Sequence, residues 1–351
     1  MDIRFNNMKK GYIYLIITFL FIILNLISCD NRDKNKSNNT SNYTYIAEQG
    51  EIFHTTYHIK YYYKESLQFE ILEVLNRFDM SLNPFNQKSI ISKVNRNELT
   101  QVDSMFIKVF NKSMDVSRKS DGKFDITASP LINAWGFGFS NMENITKQTI
   151  DSLMEFVGYN KIVLSGNKIE KTDPRIQLNT SAISKGYSCD LVAYFLDSYG
   201  IENYMIEIGG EIVTKGVNDK GECWHIGIDK PVEDNSAAKR ELQVILSLCN
   251  KSLATSGNYR NYYIKDGKKY AHTIDPQTGY PTQNDMLSAT VIANDCMTAD
   301  AYATAFMASG SEKSKEIAQK EPGLEYFFIY TKPDQTMGIT YSKGFEQFFT
   351  K

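Results

Sequence analysis

The residues with the clearest chemical potential lie in a segment of small residues, Cys296–Thr304 (CMTADAYAT). Asp300 and Thr304 are four positions apart, so on a helix their side-chain oxygens face the same way. A carboxylate and a hydroxyl are hard ligands suited to Mg²⁺, which takes few protein ligands and keeps water and phosphate oxygens in its shell. An acidic residue near a helix start beside an unrelated threonine gives the same pattern. The spacing therefore indicates a candidate magnesium site and leaves the simpler interpretation open.

A candidate base lies nearby in sequence. His272 belongs to Tyr270–Pro281 (YAHTIDPQTGYP), which follows Leu253–Arg260 (LATSGNYR). Beside a metal–phosphate site an imidazole can accept a proton from an attacking hydroxyl. A hydrogen-bonded histidine of a strand is the alternative interpretation.

Two further segments suit a flat, anionic ligand. In Asp121–Gly138 (DGKFDITASPLINAWGFG), Trp135 stands among glycines, which is typical of an aromatic edge near a planar ring and equally of a core tryptophan beside a turn. Asn179–Gly186 (NTSAISKG) places small residues and a lysine at a helix start, where free backbone N–H groups bind anions, although many helix starts look alike. No P-loop, GxSxG or CxxC motif occurs, so nucleoside-triphosphatase, serine-hydrolase and thiol-redox chemistry have no motif here.

Hydrophobic periodicity predicts the elements that position these residues. Apolar residues at helical spacing predict helices over Leu67–Phe78, Met105–Ser117 and Ser184–Tyr199. A run of small residues predicts a further helix over Thr298–Ala308. Gly200 stands where a C-terminal cap of the third helix belongs. Alternating or β-branched runs predict strands at Phe53–Tyr63, Tyr204–Ile208, Trp224–Ile228, Leu242–Leu248, Tyr262–Lys265, Ser288–Ile292 and Tyr326–Tyr330. Helices interleaved with strands that often run antiparallel indicate one continuous α+β body.

The N-terminus predicts export and anchoring. A short basic region precedes an apolar run from Gly11 to Leu26, as in a secretory signal. The run ends in Leu-Ile-Ser-Cys29, which resembles the bacterial lipobox, whose cysteine is lipidated. A single membrane-spanning helix is the alternative, because the run is nearly long enough to cross a bilayer.

We therefore expect three regions. Residues 1–28 are predicted to be a lipoprotein signal peptide, residues 29–44 a lipidated Cys29 with a flexible Asn/Ser/Lys-rich tether, and residues 45–351 one folded domain. Such an anchor would hold the domain at the cell envelope, facing the periplasm or the exterior.

Composition limits the function classes. With 39 Lys+Arg against 41 Asp+Glu, the net charge is −2, which argues against nucleic-acid binding because phosphate-backbone affinity needs a cationic excess. The 13% of aromatic residues can supply stacking surfaces for a flat ring. Five cysteines are too few and too scattered for a disulfide scaffold. With Cys29 as the anchor, the other four have no evident pairing.

Taken together and in this order, the segments resemble the ApbE family, the flavin transferases that attach FMN from FAD to proteins. The resemblance runs from about Gly50 to near the C-terminus, and its blocks are FDMSLNPFNQKSIISKVN, GKFDITASPLINAWGFG, NTSAISKGYSCD, NYMIEIGGEIVTKG, LATSGNYRNYYIKDGKKYAHTIDPQTGYP and TVIANDCMTADAYATAFMASG. It implies the T-fold-like ApbE architecture, an α+β domain with mixed or antiparallel sheets and flanking helices. Family members are commonly bacterial lipoproteins or periplasmic proteins, which agrees with the interpretation of Cys29.

The resemblance also implies a reaction. A threonine or serine hydroxyl of a target protein attacks the FMN-side phosphorus of FAD, AMP leaves, and a phosphoester links the flavin to the protein. Mg²⁺ neutralises the pyrophosphate charge while the protein positions the groups. The implied partners are FAD, an acceptor protein such as a subunit of an ion-pumping or electron-transfer complex, and the membrane through the lipid anchor.

Site residues carry over by position. The resemblance implies a metal site made by the Ala182 backbone carbonyl with Asp300 and Thr304, and catalytic roles for His272, as the base, and for Asp300. The positions expected to line the FAD site are Phe53, Phe85, Ala134, Trp135, Gly136, Asn179, Lys185, Thr255, Ser256, Gly257 and Ile274.

Two positions and one short stretch depart from the family pattern. Asn179 stands where many members have Asp, Phe85 stands where many have Tyr, and Thr180-Ser181-Ala182 replaces a Gly-rich stretch. Phenylalanine keeps the stacking area and loses a hydroxyl. The alternatives to transfer are Mg²⁺-dependent hydrolysis of FAD to FMN and AMP, a non-catalytic FAD-binding lipoprotein, and a structural surface lipoprotein that binds no FAD.

Overall fold

Antiparallel strand pairing organises the protein into an α+β architecture. The computed structural model describes residues 42–138, 145–231, 241–258, 262–265 and 268–350, so the predicted signal peptide, Cys29 and most of the tether lie outside the described residues. The residues Tyr45–Lys351 form one compact unit. Within the described ranges, no helix is both long enough and apolar enough to cross a membrane.

The central sheet has eight strands. In spatial order they are β1 (Thr44–Ile52), β2 (Thr55–Tyr63), β5 (Tyr204–Ile208), β6 (Glu211–Lys215), β9 (Ser252–Gly257), β12 (Met286–Ala293), β13 (Glu325–Thr331) and β14 (Met337–Tyr341). Three two-stranded sheets consist of β3 (Ile162–Ser165) with β4 (Lys168–Lys171), β7 (Trp224–Asp229) with β8 (Leu242–Leu248), and β10 (Tyr262–Lys265) with β11 (Lys268–Ala271). From β2 to β14, each neighbouring pair in the central sheet is antiparallel.

The described helices are α1 (Gln68–Leu82), α2 (Ile90–Asn95), α3 (Ser104–Lys119), α4 (Ser129–Ala134), α5 (Lys147–Met154), α6 (Ser184–Ser198), α7 (Cys296–Ser309) and α8 (Ser311–Ala318). Helix α7 packs against α6, β9 and β12 and is buried along nearly its whole length. Its alanines allow neighbouring backbones to approach closely. The four predicted helices are confirmed as α1, α3, α6 and α7, and Gly200 follows α6 at φ 71°, as a left-handed cap requires.

Both faces of the central sheet are covered. In β12, Val291 packs in a cluster with α1, α3 and α7, whereas its neighbour Ile292 packs in a cluster with β7 and β8 on the opposite face. This follows from the two-residue period of a strand. The sheet is therefore a buried, rigid layer from which loops and helix starts project toward the site.

The predicted strand Phe53–Tyr63 was wrong at its start. Phe53 and His54 form a tight turn between β1 and β2 with φ of 52° and 60°. Two-residue hairpins of this kind normally carry Asn or Gly, because other residues are strained at positive φ. The sequence has neither residue there, so the hairpin had no turn signal and β1 was not predicted.

A disulfide joins Cys223, just before β7, to Cys249, just after β8, with a Cα–Cα distance of 5.0 Å. This pairing could not be predicted from the sequence, because the two cysteines are 26 residues apart and meet only when the β7–β8 hairpin forms. Cys189 and Cys296 are free and buried. The disulfide therefore closes the open end of the hairpin that covers one face of the sheet.

Replacing Cys223 and Cys249 together by serine is expected to lower the free energy of unfolding by about 2–4 kcal/mol, because the bond restricts the unfolded chain. Urea unfolding of the oxidised wild type and of the double variant measures the difference. Reductant should bring the wild type to the stability of the variant and leave the variant unchanged. Equal urea midpoints without reductant would contradict the prediction.

Candidate active site

A pocket of about 850 Å³ brings most of the predicted site residues together. It opens between the start of β2, the end of β9, the turn after β5, the segment before α6, and α7. The predicted residues that line it are Phe85, Asn179, Ala182, Lys185, Thr255, Ser256, Gly257, His272, Ile274, Asp300 and Thr304. Segments that are more than 100 positions apart in sequence thus form one site.

The candidate cation ligands lie on α7 as the i, i+4 spacing predicts. Asp300 is 3% exposed, and its Oδ2 accepts a hydrogen bond of 2.9 Å from the backbone N–H of Gly186. Burial raises the pKa of the Asp300 carboxyl, while Lys185 and the Gly186 N–H act to lower it. The Thr304 hydroxyl lies 3.4 Å from that of Ser256 at the end of β9. A fixed carboxylate and a hydroxyl on one pocket wall suit a hard divalent cation.

Lys185 contributes the positive charge of the same wall. Its ammonium forms an ion pair with Glu211 Oε1. Although burial acts to lower it, the pKa of Lys185 is raised by the carboxylates of Glu211 and Asp300. Burial raises the pKa of the Glu211 carboxyl, while the Lys185 ammonium acts to lower it. Lysine therefore stays charged in the pocket, where it can meet an anionic ligand.

Two contacts fix α6 against α7. The carboxylate of Asp190 on α6 accepts hydrogen bonds of 2.8 and 2.9 Å from the backbone N–H groups of Cys296 and Met297 at the start of α7. One turn earlier, a Cβ on Gly186 would lie 2.2 Å from the Cys296 carbonyl oxygen, so only glycine allows this close approach. The two contacts set the distance between Ala182, before α6, and Asp300 on α7.

The unfolding free energy is expected to depend on pH through Asp190. Burial raises its pKa to about 7, although the two N–H donors act in the opposite direction. An unfolded aspartate loses its proton near pH 4, so between about pH 4 and 7 the native state binds more protons and stability falls as pH rises. The side chain of the Asp190→Asn variant cannot titrate. As the pH rises through this range, the unfolding free energy of the wild type should therefore fall by up to about 1.4 kcal/mol per pH unit relative to that of the variant.

Urea unfolding of both proteins across this pH range measures that slope. The comparison cancels the titration of every other group, because the two chains differ at one side chain. A stability difference that stays constant between pH 5 and 7 would contradict the prediction.

Four predicted flavin-contacting residues do not line the pocket. Trp135 is 7% exposed, donates from Nε1 to the Gly279 carbonyl at 2.8 Å, and packs in a cluster with Ile274. Its neighbours Ala134 and Gly136 do not line the pocket either. From this segment, Ile132 and Phe137 line the pocket instead. Phe53 packs on Phe78 with ring centroids 5.0 Å apart. Flavin contact by these four stays a prediction.

Aromatic and basic groups occupy the rest of the pocket. Phe85 lines it with 47% of its surface exposed, as a residue that stacks on an incoming ring requires. His272 lies in the pocket with its ring 6.4 Å from that of Phe137. Lys123 and Asp275 form an ion pair of 2.8 Å that joins the loop carrying His272 to the residues before α4.

Sequence reasoning missed five charged residues of the pocket. Glu211 lies directly after the Gly209-Gly210 turn. The other four are Lys123, Asp125, Glu207 and Asp229. An acidic residue that follows two glycines between two predicted strands is the sequence pattern that could have indicated Glu211. The sequence does not show that Glu211 pairs with Lys185.

Comparisons with known proteins agree with this geometry. The model of the ApbE family matches residues 53–328. The FAD:protein FMN transferases of Vibrio cholerae and Haemophilus influenzae are each 34% identical, over 86% and 82% of this chain and 92% and 87% of their own lengths. Among solved structures, the flavin transferase ApbE from Vibrio cholerae aligns with a TM-score of 0.79 at 32% identity, covering 88% of this chain and all of that one. The apo flavinyl transferase ApbE of Pseudomonas stutzeri aligns with a TM-score of 0.77 at 30% identity, covering 88% and 97%.

Proposed function

The chain belongs to the ApbE family, and from that premise we propose that it is a Mg²⁺-dependent FAD:protein FMN transferase. In this reaction a Thr or Ser hydroxyl of a target protein attacks the FMN-side phosphorus of FAD, a phosphoester forms, the pyrophosphate bond breaks and AMP leaves. The observation that carries the proposal is the meeting of Asp300, Thr304, Lys185 and His272 in one pocket. Its volume of about 850 Å³ lies in the range of ligand pockets that enclose large organic molecules.

The charge and donor set of the pocket fit a divalent cation. Asp300 and Thr304 supply oxygen ligands, Ala182 can supply its backbone carbonyl, and Glu211 adds a second buried carboxylate. A magnesium ion held there would neutralise the pyrophosphate and stabilise charge that develops on its oxygens. This fit supports the magnesium dependence.

The remaining residues bind and orient the substrates. The Lys185 ammonium faces a pocket that must accept phosphate, Phe85 offers an exposed ring to the isoalloxazine, and His272 can accept the proton of the attacking hydroxyl. The protein thus contributes mainly positioning and electrostatic stabilisation, as phosphoryl-transfer enzymes do.

Incubation with FAD, Mg²⁺ and an acceptor protein tests the function. A flavinylation domain of an electron-transfer subunit, with its acceptor threonine or with that threonine changed to alanine, gives a matched pair of acceptors. We expect covalent flavin on the first acceptor only, detected by mass and in-gel fluorescence, with one AMP released per flavin attached. FMN release at the same rate with either acceptor, without labelling, would instead show FAD hydrolysis as the main activity.

We also propose that the chain is exported and lipid-anchored through Cys29. The signal-like N-terminus motivates this, and the Cys223–Cys249 disulfide supports it because such bonds persist in oxidising compartments outside the cytoplasm. Metabolic labelling of the wild type and of Cys29→Ser with a fatty-acid analogue tests the anchor. The wild type should carry the label and the variant should not, and a wild type without label would count against lipidation.

A further inference from the structure

Glu211 carries an oxygen whose hydrogen-bonding capacity is unmet among the described residues. The residue is 3% exposed and lines the pocket. Its Oε1 pairs with Lys185, whereas the buried Oε2 has no hydrogen-bond partner in the described part of the chain. A buried acceptor without a partner is unfavourable, because nothing compensates for the loss of its hydrogen bonds to water. We therefore expect Oε2 to interact with a group that enters the pocket.

The backbone around Glu211 holds this carboxylate in a defined position. Gly209 and Gly210 turn the chain from β5 to β6 with φ of 64° and 101°. A Cβ on Gly209 would lie 3.3 Å from the Cδ atom of Lys185, so the glycine leaves room for the lysine side chain. The Cys189 thiol donates to the Glu211 carbonyl at 3.3 Å. The ion pair is thus built into the pocket wall.

The charges of this wall are not balanced. Glu211 and Asp300 are both buried acids of the pocket, and Lys185 is the ammonium that faces them. When all three are ionised, one negative charge remains without a counter-charge. Buried charges interact strongly because the surrounding dielectric constant is low, so this arrangement favours a bound cation.

We propose that Glu211 is a second acidic group of the cation site, fixing Lys185 through Oε1 and strengthening the binding of a divalent cation through Oε2. The inference rests on the proposed cation site at Asp300 and Thr304. Glu211 is then a positioning residue with two opposed effects. Its charge attracts the cation, whereas its pairing with Lys185 offsets part of the attraction of that ammonium for an anionic substrate.

The proposal predicts changes in cation affinity and in FAD affinity that a merely structural role of Glu211 would not produce. Loss of the Glu211 charge should weaken cation binding and leave the binding of anionic FAD unchanged or tighter. Loss of the Lys185 charge should weaken FAD binding and leave cation binding unchanged or tighter. General damage to the pocket would weaken both.

Mn²⁺ serves as the probe in EPR titrations of the purified protein without FAD, and flavin fluorescence measures FAD binding in EDTA. We expect Glu211→Gln to weaken Mn²⁺ binding by about 10- to 100-fold, as loss of a group that supports a metal site does, and not to weaken FAD binding. Lys185→Met should show the reverse pattern. Glu321→Gln is the matched control, since Glu321 pairs with Lys119 at 2.6 Å outside the pocket lining, and it should change neither affinity.

Asp300→Asn separates the two proposals. If this variant binds Mn²⁺ as the wild type does, the cation site itself is wrong. If Asp300→Asn loses Mn²⁺ and Glu211→Gln keeps wild-type affinity, or loses Mn²⁺ and FAD in parallel, only the role of Glu211 is overturned. Should Glu211→Gln fail to fold, Glu211→Asp keeps the charge and withdraws the carboxylate by one methylene. Its Mn²⁺ affinity should fall, and an unchanged affinity overturns the inference.

Discussion

Asp300→Asn is expected to reduce flavin transfer by about 10³-fold or more while the protein stays folded. The substitution keeps the shape of the side chain, and the amide oxygen can still accept from the Gly186 N–H. What it removes is the buried negative charge on which the proposed cation site depends. A cation that stabilises a phosphoryl-transfer transition state contributes several kcal/mol, and each 1.4 kcal/mol is about tenfold in rate.

The measurement is the initial rate of covalent flavin attachment at saturating FAD, with near-UV circular dichroism to confirm the fold. Asp295→Asn is the matched control. Asp295 caps the start of α7 by accepting from the Thr298 N–H at 2.8 Å, and asparagine caps a helix as well as aspartate does. If Asp300→Asn transferred flavin at the wild-type rate with Mg²⁺ present, Asp300 would not be a metal ligand.

The part of the site that one helix positions could be predicted from sequence. The shared helix face of Asp300 and Thr304 follows from their i, i+4 spacing alone. The partners that fix Asp300 could not be predicted in this way. Gly186, whose N–H donates to Asp300, is 114 positions away from Asp300 in sequence. Asp190, which accepts a hydrogen bond from the Cys296 N–H, is 106 positions away from Cys296. The local sequence of neither segment indicates which helix the segment contacts in the fold.

The strands of the fold also differ in how well the sequence predicts them. Strands with an apolar run, such as β5 and β8, were predicted with their observed bounds. The strand β9 (SLATSG) was missed because its small polar residues carry no strand pattern, and its place is set by pairing with β6 and β12. β9 ends in Ser256 and Gly257, which line the pocket. Residues that approach a ligand closely are small for that reason, so the segments nearest to the chemistry carry the weakest structural signal.

The contact between α6 and α7 leads to the second large expected effect. Gly186→Ala should destabilise the protein by about 3 kcal/mol, because overpacking of a dense interior costs about 1–3 kcal/mol and occasionally more. In an open helix the same change would stabilise by about 1 kcal/mol. Here the added Cβ meets the Cys296 carbonyl at 2.2 Å and Asp300 Cβ at 2.8 Å, and neither can rotate away. The two helices must therefore move apart.

That movement should also lower activity, since it displaces Asp300 from Ala182 and weakens the Gly186–Asp300 hydrogen bond. A misplacement of about 1 Å can cost about 10²-fold in rate, so flavin transfer by the folded fraction should fall by about that factor. Urea unfolding and transfer assays measure the two effects. Gly221→Ala is the control, because no atom lies within 4 Å of its added Cβ and only its φ of 77° opposes the change, at a cost of about 1–2 kcal/mol with unchanged transfer. A Gly186→Ala protein with wild-type stability and rate would show that the close approach of the two helices does not position the site.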